Sequence, residues 1–225
     1  MQIEVASKNA QLDEQFNDWR KRLGDEGSKF IYDGIIKEDI FFEQSERILF
    51  IGKDPHDSKY FGWDFRIEWP KDRKWRHARQ VKRWTYGILN GFPPFEEARW
   101  PKENYLCRVA FMNVKKTGGR SSSEYDDVLR HATEFSDLIK EQIKVIQPTL
   151  IIGGLSFWLP VWEAIFGKAI IENKVTIEDI DVFTWNDIPI IDYYHPSNRL
   201  PHSMQYALLS RVFGSQKFKE IRQHL

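Results

Sequence analysis

The sequence predicts an α/β fold: one three-layer α/β/α sandwich around a central, mostly parallel four-stranded sheet. Three observations carry this. Ile48-Leu49-Phe50-Ile51, Val109-Ala110-Phe111-Met112 and Leu150-Ile151-Ile152 are apolar runs with no polar alternation, as in parallel strands buried on both faces. Stretches of helical periodicity lie between them, and strands alternating with helices of that length read as βαβ units with helices on both faces of a sheet. Finally, 225 residues suffice for one sizeable core and are few for two, so residues 1–225 read as a single domain.

Taken in order, Leu12, Phe16, Trp19 and Leu23 recur at helical spacing, so Asn9–Leu23 is expected as an amphipathic helix ended near Gly24 and Gly27. A connection with Phe30, Ile31 and Tyr32 leads to the first core strand, which stops at Gly52. The loop Asp57–Pro70 carries Tyr60, Phe61, Trp63, Phe65 and Trp69, and some of these rings are expected to line a pocket. Lys71–Trp84 then holds seven basic residues (Lys71, Arg73, Lys74, Arg76, Arg79, Lys82, Arg83) against the single acid Asp72. With Trp75, His77 and Trp84 interleaved, it suits phosphate binding with stacking. A solvated helix face with Trp84 and Ile88 in the core fits it equally. Gly91-Phe92-Pro93-Pro94 ends this element.

Asn104–Val114 reads as the second strand, and Lys115-Lys116-Thr117-Gly118-Gly119-Arg120, with Ser121-Ser122-Ser123, as a flexible basic loop. Asp126–Gln147 reads as one long amphipathic helix stopped by Pro148. Leu150–Gly154 is the third strand, followed by a helix within Leu155–Gly167 starting near Pro160. Ile170–Phe183 reads as an excursion or an edge strand. Ile188–Tyr194 is a final short strand running into His195-Pro196-Ser197-Asn198-Arg199, and Ser203–Gln223 a C-terminal helix with Leu208, Leu209, Val212 and Phe213 inward.

Composition narrows the function classes. A hydrophobic fraction of 41%, with 9 Trp and 16 Phe, excludes a disordered chain. Lys plus Arg equals Asp plus Glu at 33 each, so attraction to phosphate must come from local clusters. Cys107 is the single cysteine, which excludes an internal disulfide, a CxxC pair and four-cysteine iron–sulfur or zinc sites and suits a reducing compartment. No apolar signal core opens the chain, and no stretch reaches the roughly 18 apolar residues of a membrane span; a cytoplasmic, soluble protein is expected. No GxSxG, GxxxxGK[ST] or GxGxxG occurs.

In an open α/β sheet, ligands bind beyond the carboxyl ends of the strands. Asp54 stands there, between Gly52 and the rigid Pro55. Taken singly, Lys53-Asp54-Pro55 also fits a surface turn, Asn113 a cap, Phe65 the core, and His195-Pro196 a strand-ending turn.

Four stretches occur in order at these strand ends: GKDPHDS, FMN, LIIGG and HPSNR. Together, over about residues 46–200, they resemble the uracil-DNA glycosylase superfamily. The resemblance implies a monofunctional glycosylase that hydrolyses the N-glycosidic bond of uracil, or of a related damaged or modified base, flipped out of DNA. It implies no cofactor, metal or iron–sulfur cluster, and a monomer acting on single- or double-stranded DNA. By the same resemblance Asp54 activates water, His195 stabilises charge on the departing base, Asn113 reads its Watson–Crick edge and Phe65 stacks on it. Gly52, Pro55 and His56 then belong to the base pocket, Ser197 to the DNA contact, and Arg199 holds the place of the residue wedged into the duplex. Arg76, Arg79, Lys82, Arg83 and Lys115 are the candidate phosphate contacts. Lys53 departs from the family's usual Gln, His56-Asp57 from Tyr-His, and Asn198 from Pro; the absent tyrosine is the one that excludes thymine. A non-catalytic or differently specific nucleic-acid-binding protein on the same fold is the alternative, and the intact Asp54 speaks against a pure binder.

Overall fold

The computed structural model describes residues 6–55, 62–71, 75–118 and 123–223. Its strands are β1 (Gly34–Ile35), β2 (Ile48–Gly52), β3 (Val109–Asn113), β4 (Leu150–Gly153), β5 (Val175–Ile177), β6 (Ile180–Trp185) and β7 (Ile188–Asp192). Its helices are α1 (Lys8–Leu23), α2 (Glu38–Phe42), α3 (Phe65–Glu68), α4 (Arg76–Leu89), α5 (Phe95–Arg99), α6 (Tyr125–Glu134), α7 (Ser136–Ile146), α8 (Leu159–Phe166), α9 (Lys168–Glu172), α10 (His202–Gly214) and α11 (Gln216–Gln223).

Among the described residues the sheet has seven strands in the order β1-β3-β2-β4-β7-β6-β5. The four expected strands, β3, β2, β4 and β7, are mutually parallel neighbours at its centre. The expected four-stranded sheet is corrected by antiparallel additions at both edges: β1 beside β3, and the β5–β6 hairpin beside β7. β1 is too short to show a pattern. The turns of the β5–β6–β7 meander, Glu178-Asp179 and Asn186-Asp187, have φ of 52° and 62°, and 46° and 61°; left-handed pairs of this kind make tight hairpins, here without the glycine that would announce them.

Alternation along the strands separates two cores. Leu49, Ile51, Ala110, Met112 and Ile151 face residues of α1, α6, α7 and α8. Ile48, Phe50, Val109, Phe111 and Ile152 face α4, α10 and α11. Helices therefore cover both faces, which leaves the strand ends as the place for a site.

Three further expectations are corrected. The long helix Asp126–Gln147 is two helices, broken at Phe135, which leaves helical geometry and stacks its ring on Trp19 at 5.0 Å and 12°. Likewise Ser203–Gln223 breaks at Ser215, whose hydroxyl accepts from the Phe218 amide at 3.1 Å and restarts the helix as a cap. Apolar periodicity runs through both breaks, which is why each reads as one element. Residues Tyr105–Arg108, expected as strand, form a 3₁₀ turn before β3.

Candidate functional site

Gly52 and Asn113 are register partners at the ends of β2 and β3. A Cβ on Gly52 would lie 2.6 Å from Asn113 Oδ1 and 3.1 Å from the Phe111 ring, so the amide lies across this strand end only because glycine is there. The Asn113 backbone amide donates to Asp33 Oδ2 at 2.8 Å. Asp33 also accepts from Lys116 Nζ, at 2.8 Å to each oxygen, and from Gln142 Nε2 at 2.7 Å. All of these groups are buried, and the full set of hydrogen bonds is what makes a buried ion pair tolerable. Burial lowers the Lys116 pKa, and Asp33 opposes that fall. The end of β3 is thus fixed from below, while among the described residues the buried Nδ2 donor of the Asn113 side chain has no partner. A buried donor left unpaired calls for an explanation, and a ligand carbonyl supplies one.

Beside Asn113 runs a wall of rings. Phe65, at the start of α3, lies 5.0 Å from Phe111 and 5.7 Å from Trp69 between ring centroids. His77, on the first turn of α4, lies 5.3 Å from Phe111 and stacks on His195 at 5.2 Å and 29°. The segment that delivers Phe65 is pinned by two backbone hydrogen bonds to Tyr32, from the Phe65 amide at 2.9 Å and to the Trp63 carbonyl at 2.8 Å. Phe65 is only 5% exposed, so it offers little more than an edge. Trp69 is wholly in the core.

His195 Nδ1 accepts from the Ser197 amide at 3.2 Å, which leaves Nε2 to carry the hydrogen of a neutral ring. Burial, with Lys53 adding to it, pushes this histidine down to about 4, so it is neutral near pH 7. Its backbone amide donates to Ser156 Oγ at 3.3 Å, and Ser156 and the following Phe157 hold left-handed φ values of 57° and 67°, a strained pair of the sort that persists where the surroundings dictate it.

Asp54 accepts a hydrogen bond from the Ser123 hydroxyl. Burial raises its pKa, against Ser123 and Lys115. The neighbouring Lys53 places Nζ 3.6 Å from the centroid of the Trp158 ring; burial lowers its pKa, and Asp54 and Asp192 oppose this. Lys53 therefore couples electrostatically to Asp54, Asp192 and His195, which gather at one end of the sheet. Asp192 is 0% exposed, and among the described residues neither of its oxygens accepts a hydrogen bond of normal geometry. Burial pushes it up to about 7, only partly offset by the Trp162 indole and the Phe157 amide.

Pro55 is buried beside Asp54. His56 lies outside the described residues, as do Asp57, Tyr60, Phe61, Asp72, Arg73, Lys74 and Arg120. Ser197 and Arg199 are exposed on the loop after His195. Arg76 is exposed and ties that loop to α4 by donating to the Asn198 carbonyl at 2.6 Å. Arg79 is exposed, and Lys82 donates to the Pro101 carbonyl at 3.1 Å. Two of the expected phosphate contacts are engaged within the protein. Arg83 is 5% exposed, because its guanidinium is drawn onto the Arg99 carbonyl and the rings of Phe95 and Trp100. Lys115 is buried against Asp127 in the first turn of α6, and the expected flexible loop is pinned at its start, where the Ile31 amide donates to the Lys116 carbonyl at 2.8 Å.

Asp33, Gln142, Trp158 and Asp192 surround the candidate site without having been expected there, and His77, Lys116 and Ser123, expected in basic stretches, lie there as well. Asp192, an acid directly after an apolar run, carried the one local signal. No protein-family model matches this sequence, and no curated protein does. Among the described residues no group of three or more His, Cys, Asp or Glu side chains is arranged to hold a metal ion, and no helix is long and apolar enough to cross a membrane.

Proposed function

We propose that the protein is a DNA glycosylase that hydrolyses the N-glycosidic bond of uracil, or of a related damaged or modified base, extruded from DNA. One observation carries this: the buried Nδ2 donor of Asn113, which has no partner among the described residues, stands beside an aromatic wall that ends in the neutral imidazole of His195. A planar base carrying a carbonyl would pair that donor, and an amide that both donates and accepts suits an edge with adjacent carbonyl and N–H groups.

Cleavage of the glycosidic bond builds cationic charge on the sugar and negative charge on the departing base. Asp54, as carboxylate, stabilises the sugar and orients water; His195 Nε2–H donates to the leaving base without having to be protonated. Because the Asp54 pKa is raised by burial, the active, ionised form grows as pH rises. Extruding the base costs about a few kcal/mol of unstacking, which contacts at the edge of Phe65 and with the exposed Ser197–Arg199 loop help offset. The chemistry asks for no cofactor from this chain's residues. The partner is DNA, and the cytoplasm is the expected place of action.

The test is base release from a labelled oligonucleotide containing one uracil, single- and double-stranded, with Asp54→Asn and His195→Ala beside the wild type. Release by the wild type that falls by about 100-fold or more in each variant is expected. Tight DNA binding that survives Asp54→Asn, with no release of uracil or of any base in a panel of modified bases, would overturn catalysis and leave a nucleic-acid-binding role.

A further inference from the structure

Trp100 is 65% exposed, yet the backbone on both sides of it is fastened to α4. Arg83 Nε donates to the Arg99 carbonyl at 3.3 Å, and Lys82 Nζ to the Pro101 carbonyl at 3.1 Å. The Arg83 guanidinium also lies 5.7 Å from the Trp100 ring and 6.0 Å from the Phe95 ring. The indole is thus held in place from beneath and left open to solvent above, the reverse of what a core tryptophan needs.

Arginines of α4 and α5 lie beside it. Arg79 on α4 and Arg99 on α5 are exposed, and among the described residues no carboxylate lies within ion-pair distance of Arg76, Arg79, Arg83 or Arg99. Of the nearby acids, Glu97 accepts from the Tyr86 hydroxyl at 3.4 Å and Glu103 pairs with Arg108 at 3.0 Å, while Glu96 is exposed on α5. The arginines are close enough to act on one another: burial, then Arg79 and Arg99, lower the Arg83 pKa, and burial, then Arg83, Arg76 and Arg79, lower that of His202. The patch is continuous with the candidate site, because Arg76 holds the loop that follows His195.

We propose that this ridge, running from the Ser197–Arg199 loop along α4 to Trp100, binds single-stranded DNA flanking the excised base, with Arg79 and Arg99 on backbone phosphates and Trp100 stacked on an unpaired base. The choice of nucleic acid rests on the base-excision reading above. Arg76 and Arg83 are seven residues apart on α4, about 10 Å along the axis, so Trp100 meets the strand within a few nucleotides of the pocket. A duplex would offer phosphates to the arginines but no free base face to the indole, whereas a single strand offers both.

The test is fluorescence anisotropy with uracil-free oligothymidylate and with a duplex of the same length, over a range of salt, using wild type, Trp100→Ala, Trp100→Phe and the double variant Arg79→Gln/Arg99→Gln. Single strand should bind better than duplex. Trp100→Ala should weaken single-strand binding by about 5- to 100-fold, and Trp100→Phe should recover most of it. The double variant should flatten the log–log salt dependence by about 0.7 per arginine. Wild type that fails to bind the single strand, duplex bound more tightly, or Trp100→Ala binding as wild type does, would each overturn the proposal. Since the probe carries no uracil, this measurement and the base-release assay fail independently.

Discussion

At the scale of single residues, Asp192 shows how far a site residue's state departs from its composition. Its folded pKa is raised to about 7, whereas an unfolded aspartate titrates near 3.9. Between those values the folded protein holds a proton that the unfolded chain has released, so this group's contribution makes stability fall as pH rises through the window, with the full cost present above it. Asp192→Asn removes the titration. Relative to wild type, the variant should therefore gain on the order of a few kcal/mol more at pH 8 than at pH 4, read by urea unfolding at both; an equal difference at the two values would refute the assignment. In sequence Asp192 is an acid after an apolar run. That it is buried, facing Trp162 and near Lys53, comes from its pairing with Gly153 across the sheet. Charge counting does not show the partners of Arg83 and Lys115 for the same reason: Asp127 and the Arg99 carbonyl come within reach only once the chain is folded.

At the scale of elements, β4 and α8 meet in close contact through a glycine. A Cβ on Gly153 would fall 2.0 Å from Trp162 Cζ2 and 2.6 Å from Cη2, and the indole, buried at 0% exposure, has nowhere to go. Gly153→Ala should cost about 1–3 kcal/mol by overpacking; unchanged urea unfolding would show that the helix can shift. The strand itself was readable from Leu150-Ile151-Ile152, and α1 and α8 from spacing and from Pro160. Less readable were the breaks at Phe135 and Ser215 and the meander of β5 to β7. Periodicity records which face is buried, and it continues unchanged when a helix bends to let one ring stack or one hydroxyl cap.

At the scale of the molecule, four parallel strands form a centre enclosed on both faces, while β1 and β5 are the edges. Amides of β2 and β4 should exchange with solvent only through global unfolding, and those of β5 earlier, through opening of its hairpin alone. Native-state hydrogen exchange decides this; protection of β5 equal to that of β2 would make the sheet one cooperative unit. By itself the sequence determined the fold class, the parallel central strands and the placing of Gly52, Asp54, Asn113 and His195 at or just past their carboxyl ends, because buried strands and amphipathic helices are written in local periodicity and turns in local residue types. Only the tertiary structure decided that His77 stacks on His195, that Asp33, Lys116 and Gln142 anchor Asn113, that Ser123 caps Asp54 and that the sheet extends to seven strands. These are contacts between residues distant along the chain, and no local pattern encodes which of many buried polar groups will meet.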